Sequence, residues 1–505
     1  MLWTDKAKKI LLKYWNIETL KDKQISVINE ILINNDVIGL LPTGYGKSLC
    51  YLLPPLINKK AVIIISPLIS LMEDQKDKLI KMGIPVSALH CNNRNKEIEI
   101  NDINDGLIKI IYMSPEYMAE GDGLELTTKL VENKQLGFLA IDESHCLSSW
   151  GHDFRPSYLK LQIFRDHFPT IPIMAVTATA KEVVVKEIIT ILKLNKPEII
   201  KANFDRPNLC IQCKPIGKER IKGKEKQITY DKIIREYITK YPNERIIVYV
   251  NSRKKTEELT DKINIYFNDE NICAYYHAGL TKNKRETVQE NFIENKCKVI
   301  ISTIAFGMGI DQIVRCVLVF GCPSSIEEYW QQIGRGGRDG LRCDAIFYYD
   351  KSAFFIANKM IDNESNKILV KMKKNNLQKV NEYYETKKCR RQYILDYLGL
   401  SKSYFAYNGF TCSNCDNCVN YDLIDITHYI WDALINGNPL KQSIINIIND
   451  NEFKLNKILK DWKSYIEFKK YNQNNLPDNL KIKLRIGNMI DQNDIIFDKF
   501  DKFLL

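Results

Sequence analysis

The stretch Leu40-Leu-Pro-Thr-Gly-Tyr-Gly-Lys-Ser48 spaces glycines, a lysine and a hydroxyl in a way that can hold a polyphosphate. Hydrophobic runs on both sides predict a strand, a glycine loop and a helix. Such a loop exposes backbone N–H groups at a helix N-terminus, where the helix dipole also favours an anion. Lys47 would reach the β- and γ-phosphates, and the Ser48 hydroxyl would bind Mg²⁺. Leu41 stands where a glycine is usual, so an ordinary strand–turn–helix connection is the alternative. The residues predicted to bind the nucleotide here are Thr43, Gly44, Gly46, Lys47 and Ser48.

Two adjacent carboxylates, Asp142 and Glu143, follow the hydrophobic run Phe138–Ile141. Ligands of parallel sheets bind at the carboxyl ends of the strands. We therefore expect Asp142 to hold Mg²⁺ through water, and Glu143 to orient or deprotonate the attacking water. A capped helix start is the alternative explanation of an Asp-Glu pair. The presence of Lys47 in the same unit favours the catalytic interpretation.

Four cysteines near the end of the chain have the spacing of a metal site. Cys412, Cys415 and Cys418 form two overlapping C-x₂-C spacings, and Cys389 supplies a fourth thiolate. Four thiolates make a closed tetrahedral Zn²⁺ site, which predicts a structural and not a catalytic metal. A further pair, Cys210-Ile-Gln-Cys213, lies in a strand-like run, where residues three apart point to opposite faces, so we expect no metal there.

The elements that must position these groups are short β-branched runs alternating with polar, helix-like stretches. Continuous apolar runs of this kind are typical of parallel strands that are buried on both faces. The strands predicted for a first α/β unit are Val37–Leu41, Ala61–Ser66, Lys109–Met113, Phe138–Ile141 and Ile173–Val176. The strands predicted for a second unit are Arg245–Val250, Lys298–Ser302 and Cys316–Phe320. Residues 1 to about 35 and about 352 to 398 are predicted to be helical, and a basic loop from Lys214 to Lys226 is predicted to be a solvated connection.

Length and composition limit the class of protein. The chain has 505 residues, too many for one hydrophobic core. Its hydrophobic content of 45% predicts globular domains, and its net charge of +11 is compatible with a polyanionic partner without proving one. Since no apolar run could span a bilayer and the N-terminus has no apolar signal region, we expect a soluble intracellular protein with no membrane partner.

The order of the motifs resembles that of superfamily 2 helicases, and in particular the RecQ family of DNA helicases. Asp142–His145 is similar to the family's DEAH-type box, and Ser66–Gln75 is similar to its motif Ia. Trp150–Pro156 resembles the aromatic-rich loop that is diagnostic for RecQ proteins, and Thr177–Ala180 resembles motif III. The cysteine cluster resembles the zinc-binding module of the family. The resemblance covers about residues 10 to 420.

The resemblance also implies that residues outside the glycine loop contact the nucleotide. Gln24 matches the glutamine that reads adenine, although Ile17 and Lys21 stand where the family usually has an aromatic residue and an arginine. Gln331–Gly340 resembles motif VI, whose two arginines are expected to share a face of a helix turn and to meet the γ-phosphate where the two units face each other. The residues assigned to this contact are Arg338, as the arginine finger, and its neighbour Arg335.

Contacts with single-stranded DNA are implied at two places. In the aromatic loop, the rings offer stacking faces to unpaired bases and an arginine offers charge to a phosphate. After the strand Lys298–Ser302, a segment that resembles motif V offers hydroxyls to phosphates. The residues assigned to DNA are Trp150, Phe154, Arg155, Ser302 and Thr303.

The resemblance implies two RecA-like parallel-sheet domains in tandem, over residues 1–203 and 204–350. A helical zinc-binding module over 351–423 and a small, mostly helical C-terminal domain over 424–505, interpreted as a reduced winged helix, complete the expected architecture. The implied activity is 3′–5′ translocation on single-stranded DNA and duplex unwinding in repair, recombination or replication, with ATP, Mg²⁺ and Zn²⁺ as cofactors. A nucleic-acid-binding or strand-annealing protein with a regulatory ATP site, and an RNA helicase, are the alternatives.

Overall fold

A computed structural model describes residues 4–93, 95–120, 122–148, 154–178, 181–221, 224–304, 306, 312–364, 366–400, 412, 414–418, 482–484 and 495–497. The chain divides into two compact units. The first comprises residues 1–386 and 390–410, and the second comprises residues 387–389 and 411–505. In the part of the chain that is described, no helix has the length and apolar character needed to cross a bilayer.

A parallel sheet of seven strands forms the centre of the N-terminal half, with strand order β3-β4-β2-β5-β6-β1-β7. The central strands are buried along their whole length because helices cover both faces of the sheet, as β-branched runs require. The strands are β1 (Val37–Leu40), β2 (Ala61–Ile65), β3 (Val86–Leu89), β4 (Ile110–Met113), β5 (Leu136–Ile141), β6 (Ile173–Thr177) and β7 (Glu198–Lys201). The helices are α1 (Thr4–Trp15), α2 (Asp22–Leu32), α3 (Lys47–Asn58), α4 (Ile69–Lys81), α5 (Lys96–Asn104), α6 (Pro115–Ala119), α7 (Asp122–Glu132), α8 (Pro156–Leu159), α9 (Gln162–His167) and α10 (Glu182–Ile191).

A second parallel sheet, of six strands, follows with the order β12-β13-β11-β14-β15-β8. Its strands are β8 (Leu209–Pro215), β11 (Ile246–Tyr249), β12 (Cys273–Tyr276), β13 (Val299–Ser302), β14 (Cys316–Gly321) and β15 (Cys343–Tyr349). Its helices are α11 (Tyr230–Lys240), α12 (Arg253–Phe267), α13 (Lys282–Ile293) and α14 (Ile326–Ile333). The two tandem parallel sheets confirm the predicted fold class. The predicted domain boundaries remain predictions.

The basic segment Lys214–Lys226 is not the loop that its charge predicts. After β8, the strands β9 (Lys218–Ile221) and β10 (Lys224–Gln227) pair antiparallel and form a hairpin. In the register of this hairpin, Glu225 pairs with Arg220 and Lys226 pairs with Glu219. Cys210 and Cys213 lie in β8 as predicted, and β8 pairs with β15.

Three helices continue the first unit beyond the second sheet: α15 (Lys351–Asp362), α16 (Lys367–Glu385) and α17 (Arg390–Tyr397). They confirm the helical segment predicted for about 352 to 398. In the second unit, two short strands, β16 (Ile482–Leu484) and β17 (Ile495–Phe497), pair antiparallel. The prediction of a mostly helical winged-helix domain over 424–505 otherwise falls outside the described residues.

Candidate nucleotide site and metal centre

The glycine loop joins β1 to α3, as its pattern predicts. Gly44 and Gly46 both have left-handed backbone angles, with φ of +79° and +90°. This conformation favours glycine because the Cβ of any other residue would clash with the backbone. Lys47 is the first residue of α3, so its side chain and that of Ser48 lie at the helix N-terminus, where an anion is favoured.

Gln24 lies behind the loop and holds its backbone. Its amide nitrogen donates to the carbonyl oxygens of Tyr45 and Gly46 over 3.1 and 3.0 Å, and its amide oxygen accepts from the backbone N–H of Lys21 over 2.8 Å. A Cβ on Gly46 would lie only 2.5 Å from this amide nitrogen. Gln24 therefore supports the loop in this structure, and its contact with adenine remains a prediction.

The two predicted catalytic carboxylates follow β5 and reach back to the loop. The Lys47 ammonium lies 3.2 Å from a carboxylate oxygen of Glu143, where both side chains are mostly buried. Glu143 has a positive φ of +46°, a strained angle for a residue with a side chain, and its side chain does not cap the short helix that follows. This geometry disfavours the alternative of a simple helix cap. His145 joins the cluster, because its Nδ1 lies 2.9 Å from the Thr177 hydroxyl and 3.3 Å from Glu143.

The buried charges of this cluster affect one another. Burial and the negative charge of Glu143 raise the pKa of Asp142 to about 6. Burial also opposes ionisation of Glu143, but the charge of Lys47 and the contact with His145 outweigh it and hold the pKa of Glu143 below its usual range. Burial alone would lower the pKa of His145, yet Cys146 and Glu143 raise it to about 10. The surroundings therefore favour the charged form of Glu143 and disfavour that of Asp142.

Two hydrogen bonds hold the carboxylate of Asp142, and a third contacts its main chain. One carboxylate oxygen, Oδ2, accepts from the Tyr51 hydroxyl over 3.1 Å, and the other, Oδ1, accepts from the Glu143 N–H over 2.9 Å. The Tyr158 hydroxyl donates to the Asp142 main-chain oxygen over 3.2 Å. The sequence interpretation missed both tyrosines. The spacing of three residues between Ser48 and Tyr51 was the available signal, since it places both on one helix face.

The two motif VI arginines lie beside the glycine loop, although not on a helix. Their predicted position on a helix turn is wrong, because α14 ends at Ile333 and both arginines lie in the turn that follows. Gly337 has a φ of +56°, which turns the chain between them. A Cβ on Gly44 would lie 3.7 Å from Nε of Arg338, and a Cβ on Gly334 would lie 3.9 Å from the Thr43 Cβ. The turn from the second sheet thus contacts the loop from the first.

Two residues between the sheets hold this arginine turn, and the sequence interpretation overlooked both. The Arg206 guanidinium donates to the carbonyl oxygens of Gly336 and Gly337 over 2.7 and 2.8 Å. The Asn208 amide donates to the oxygens of Gly337 and Leu341, each over 2.8 Å. The main chain of the turn is therefore fixed from outside the helix that leads into it.

Arg335 is half-buried and interacts electrostatically with Arg338. Burial lowers its pKa to about 10, and the charge of Arg338 acts in the same direction, whereas Tyr249 and Glu143 favour its charged form. The Tyr249 hydroxyl also donates to the carbonyl oxygen of Phe306 over 2.9 Å, in the segment predicted as motif V. Arg335, Arg338 and the segment after β13 therefore share Tyr249 as a buried neighbour.

The residues assigned to DNA have different environments. Trp150 lies outside the described residues. Phe154 is half-buried and lines an apolar groove with Leu147 and Val183. The Arg155 guanidinium donates to the carbonyl oxygen of Pro67. These positions leave the predicted stacking and phosphate contacts of the aromatic loop as predictions.

The two motif V hydroxyls also differ. Ser302 is fully buried, and its hydroxyl donates to the Tyr276 carbonyl over 2.7 Å. Thr303 is half-buried and follows the end of β13. The Thr303 side chain is therefore more accessible to a phosphate than the Ser302 side chain.

The four predicted zinc ligands lie together in the second unit. The Sγ atoms of Cys389, Cys412, Cys415 and Cys418 are all within 4.8 Å of one another. A tetrahedron with Zn–S bonds of ~2.3 Å has S–S edges of about 3.8 Å, and the Cys389 and Cys415 sulfurs are 3.9 Å apart. The Asn417 amide donates to the Lys388 carbonyl over 2.7 Å and ties the two cysteine segments together. The donor set fits a structural zinc.

Comparison with known proteins bears on both sites. Three family models match the chain: DEAD/DEAH box helicase over residues 21–188, helicase conserved C-terminal domain over 229–340, and RecQ zinc-binding over 351–419. The ATP-dependent DNA helicase RecQ of Bacillus subtilis is 32% identical over 422 residues, which are 82% of this chain and 67% of that protein. The chain belongs to the RecQ family of helicases. The zinc-binding match covers all four cysteines.

Other RecQ-type relatives differ in length and description. A protein of Acanthamoeba polyphaga mimivirus, described as a putative ATP-dependent RNA helicase, is 37% identical over 82% of this chain and 72% of its own length. The RecQ-like DNA helicase BLM of Xenopus laevis is 36% identical over 88% of this chain, but the match spans only 32% of that protein.

Solved helicase structures share the fold at low sequence identity. The DUF1998 helicase MrfA bound to DNA aligns with a TM-score of 0.56 and 19% identity, over 68% of this RecQ-family chain and 50% of that chain. The Mycobacterium smegmatis helicase Lhr bound to single-stranded DNA and AMP-PNP aligns with a TM-score of 0.54 and 16% identity, over 72% and 49% of the two chains.

Proposed function

We propose that this chain is an ATP-dependent DNA helicase that moves 3′ to 5′ on single-stranded DNA and unwinds duplexes in repair, recombination or replication. The observation that carries the proposal is the position of Arg338. This arginine follows the last helix of the second sheet, yet its guanidinium lies against Gly44 in the glycine loop of the first sheet. A nucleotide held by that loop would meet groups from both sheets.

Each charged group has a role in this arrangement. Lys47 and the loop N–H groups hold the phosphates, and Glu143 orients the attacking water. Arg338 stabilises the charge that develops on the γ-phosphate, with Arg335 beside it. Lys47 also lies 3.2 Å from a carboxylate oxygen of Glu143. We infer that nucleotide binding separates this pair and leaves Glu143 free to orient water.

A divalent cation belongs to the same proposal. Ser48 and Asp142 offer hydroxyl and carboxylate oxygens, which are the donors that Mg²⁺ prefers, and Tyr51 lies within hydrogen-bonding distance of both. When bound, Mg²⁺ neutralises phosphate charge. This shared neighbour supports the assignment of Ser48 and Asp142 as the residues that would hold Mg²⁺.

Division of the site between two sheets couples hydrolysis to movement. The bound nucleotide draws the sheets together, and hydrolysis removes the γ-phosphate that both contact, so the sheets can part. Arg155 follows the catalytic carboxylates by only twelve residues, so movement at the site reaches the predicted DNA loop through a short segment. Each cycle would shift the grip on one strand.

The proposal is tested by ATP turnover with single-stranded DNA, with single-stranded RNA and with neither, and by unwinding of a forked DNA duplex. We expect DNA to stimulate turnover strongly, and Lys47→Ala to abolish both turnover and unwinding. Lys60→Ala, an exposed lysine just beyond the far end of α3, is the matched control and should behave like the parent protein. Full DNA-stimulated turnover in Lys47→Ala would refute the site assignment.

One observation favours a second candidate function. The viral relative is described as a putative RNA helicase, and the match spans 72% of its length. If RNA stimulates turnover and unwinding better than DNA does, the protein is an RNA helicase. If neither polymer stimulates turnover but the protein anneals complementary strands, its ATP site is regulatory.

A further inference from the structure

A buried tyrosine connects two of the predicted Mg²⁺ ligands. Tyr51 lies one turn into α3 and is 1% exposed. Its hydroxyl oxygen lies 3.1 Å from Oγ of Ser48 and 3.1 Å from Oδ2 of Asp142. The Tyr51 hydroxyl therefore contacts Ser48, three positions earlier in the chain, and Asp142, 91 positions later. None of the steps proposed above uses this phenol.

The number of available protons fixes the direction of the two bonds. A tyrosine hydroxyl has one proton, and an ionised carboxylate can only accept. Tyr51 therefore donates to Asp142, and Ser48 donates to the oxygen of Tyr51. With its proton donated to Tyr51, the Ser48 oxygen keeps its lone pairs for a cation. Asp142 is held at both oxygens, because Oδ1 accepts from the Glu143 N–H.

We propose that Tyr51 is a positioning residue for the divalent cation of the nucleotide, because it orients the lone pairs of Ser48 and fixes the carboxylate of Asp142. The inference rests on the proposed function, which requires a nucleotide and Mg²⁺ in this loop. Partners of this kind orient the groups that contact a metal, and their removal typically costs 10- to 100-fold in metal affinity or activity.

A nearby tyrosine offers a matched control. Tyr158 is also fully buried, and its hydroxyl also donates to Asp142, over 3.2 Å. It contacts the main-chain oxygen, however, and not a carboxylate oxygen. Loss of the Tyr158 hydroxyl removes one hydrogen bond near the same residue and leaves the side-chain donors ordered.

The test is the binding of a fluorescent ATP analogue to the full chain, first in EDTA and then during titration with Mg²⁺. For Tyr51→Phe, we expect affinity in EDTA to stay within about twofold of the parent protein. The Mg²⁺ concentration that gives half of the affinity gain should rise about tenfold. Tyr158→Phe should leave this midpoint within about twofold. A parent-like Mg²⁺ midpoint in Tyr51→Phe overturns the inference, and so does an equal loss of affinity with and without Mg²⁺.

A second measurement keeps the hydroxyl and does not depend on folding of the phenylalanine variant. A single 3-fluorotyrosine incorporated at position 51 provides one ¹⁹F resonance. We expect it to shift when Mg²⁺ is added to the complex with ADP, and an unmoved signal contradicts the inference. If the parent protein itself gains no nucleotide affinity from Mg²⁺, the proposed function fails too. If Mg²⁺ raises the nucleotide affinity of the parent protein and Tyr51→Phe has the same Mg²⁺ midpoint, only the inference about Tyr51 is wrong.

Discussion

A buried ion pair joins α17 to the segment between the two sheets. The Arg391 guanidinium lies 2.8 Å from a carboxylate oxygen of Asp205, and the two side chains are 2% and 3% exposed. Arg391 also donates to the main-chain oxygens of Arg206 and Leu209, the latter over 2.6 Å. Arg391 therefore connects α17 to the residues that lead into β8.

Arg391→Met removes the charge but keeps most of the side-chain length. Loss of one partner leaves the Asp205 carboxylate buried without its cation, which costs about 3–5 kcal/mol of unfolding free energy. Because the charge left behind causes most of this cost, Arg391→Met combined with Asp205→Asn should recover at least half of the loss. Urea unfolding of the zinc-loaded protein, followed by circular dichroism, measures both variants.

An exposed pair provides the control. Lys129 and Glu125 lie one turn apart on α7, with side chains 52% and 70% exposed. Lys129→Met should lose less than about 1 kcal/mol, because water screens such a pair. If Arg391→Met is no less stable than Lys129→Met, or if the double variant is the least stable of all, the reasoning about the buried pair is refuted.

Two further predictions concern the zinc centre and a contact between α10 and α14. Cys415→Ser should reduce bound zinc, measured by mass spectrometry of the purified protein, from about one ion per chain to less than half, whereas Cys91→Ser, at an exposed single cysteine, should retain it. Equal zinc in both variants would contradict the assigned ligand set. Lys181→Ala breaks a 2.6 Å ion pair with Glu327, which is 3% exposed, and should lower the unfolding free energy by about 1–2 kcal/mol. The loss is smaller than for Arg391 because the Tyr397 hydroxyl still donates to Glu327, and an unchanged urea midpoint would show that this pair adds no stability.

The sequence predicted most of the central strands well, but it missed the buried inner strand β15 and the edge strands β3, β7 and β12. All eight strands predicted from β-branched runs are present, with ends within two residues of their predicted positions. These runs are recognisable because both of their faces are buried. The missed strand Glu198–Lys201 lies at the edge of its sheet, where three of its four side chains are exposed, so its sequence carries no apolar run. The other edge strand of the second sheet was predicted in part, because the strand-like run Cys210–Cys213 lies within Leu209–Pro215.

The local parts of the candidate site could be predicted, but its long-range contacts could not. The loop of Lys47 and the cysteine spacing are motifs within short segments, so residue types alone identify them. The contact of Arg338 with Gly44 joins residues almost three hundred positions apart. Arg206 acts through the backbone of the arginine turn, and a side chain that binds main-chain oxygens leaves no recognisable pattern in the sequence.

Arg338→Ala tests whether the nucleotide lies between the two sheets. The measurement is DNA-stimulated ATP turnover together with the affinity for a fluorescent ATP analogue. Because the arginine acts on charge that develops during the reaction, kcat should fall about 1,000-fold or more, while the affinity stays within about threefold. Turnover within about tenfold of the parent protein would contradict the account, since the second sheet would then contribute no essential group to hydrolysis.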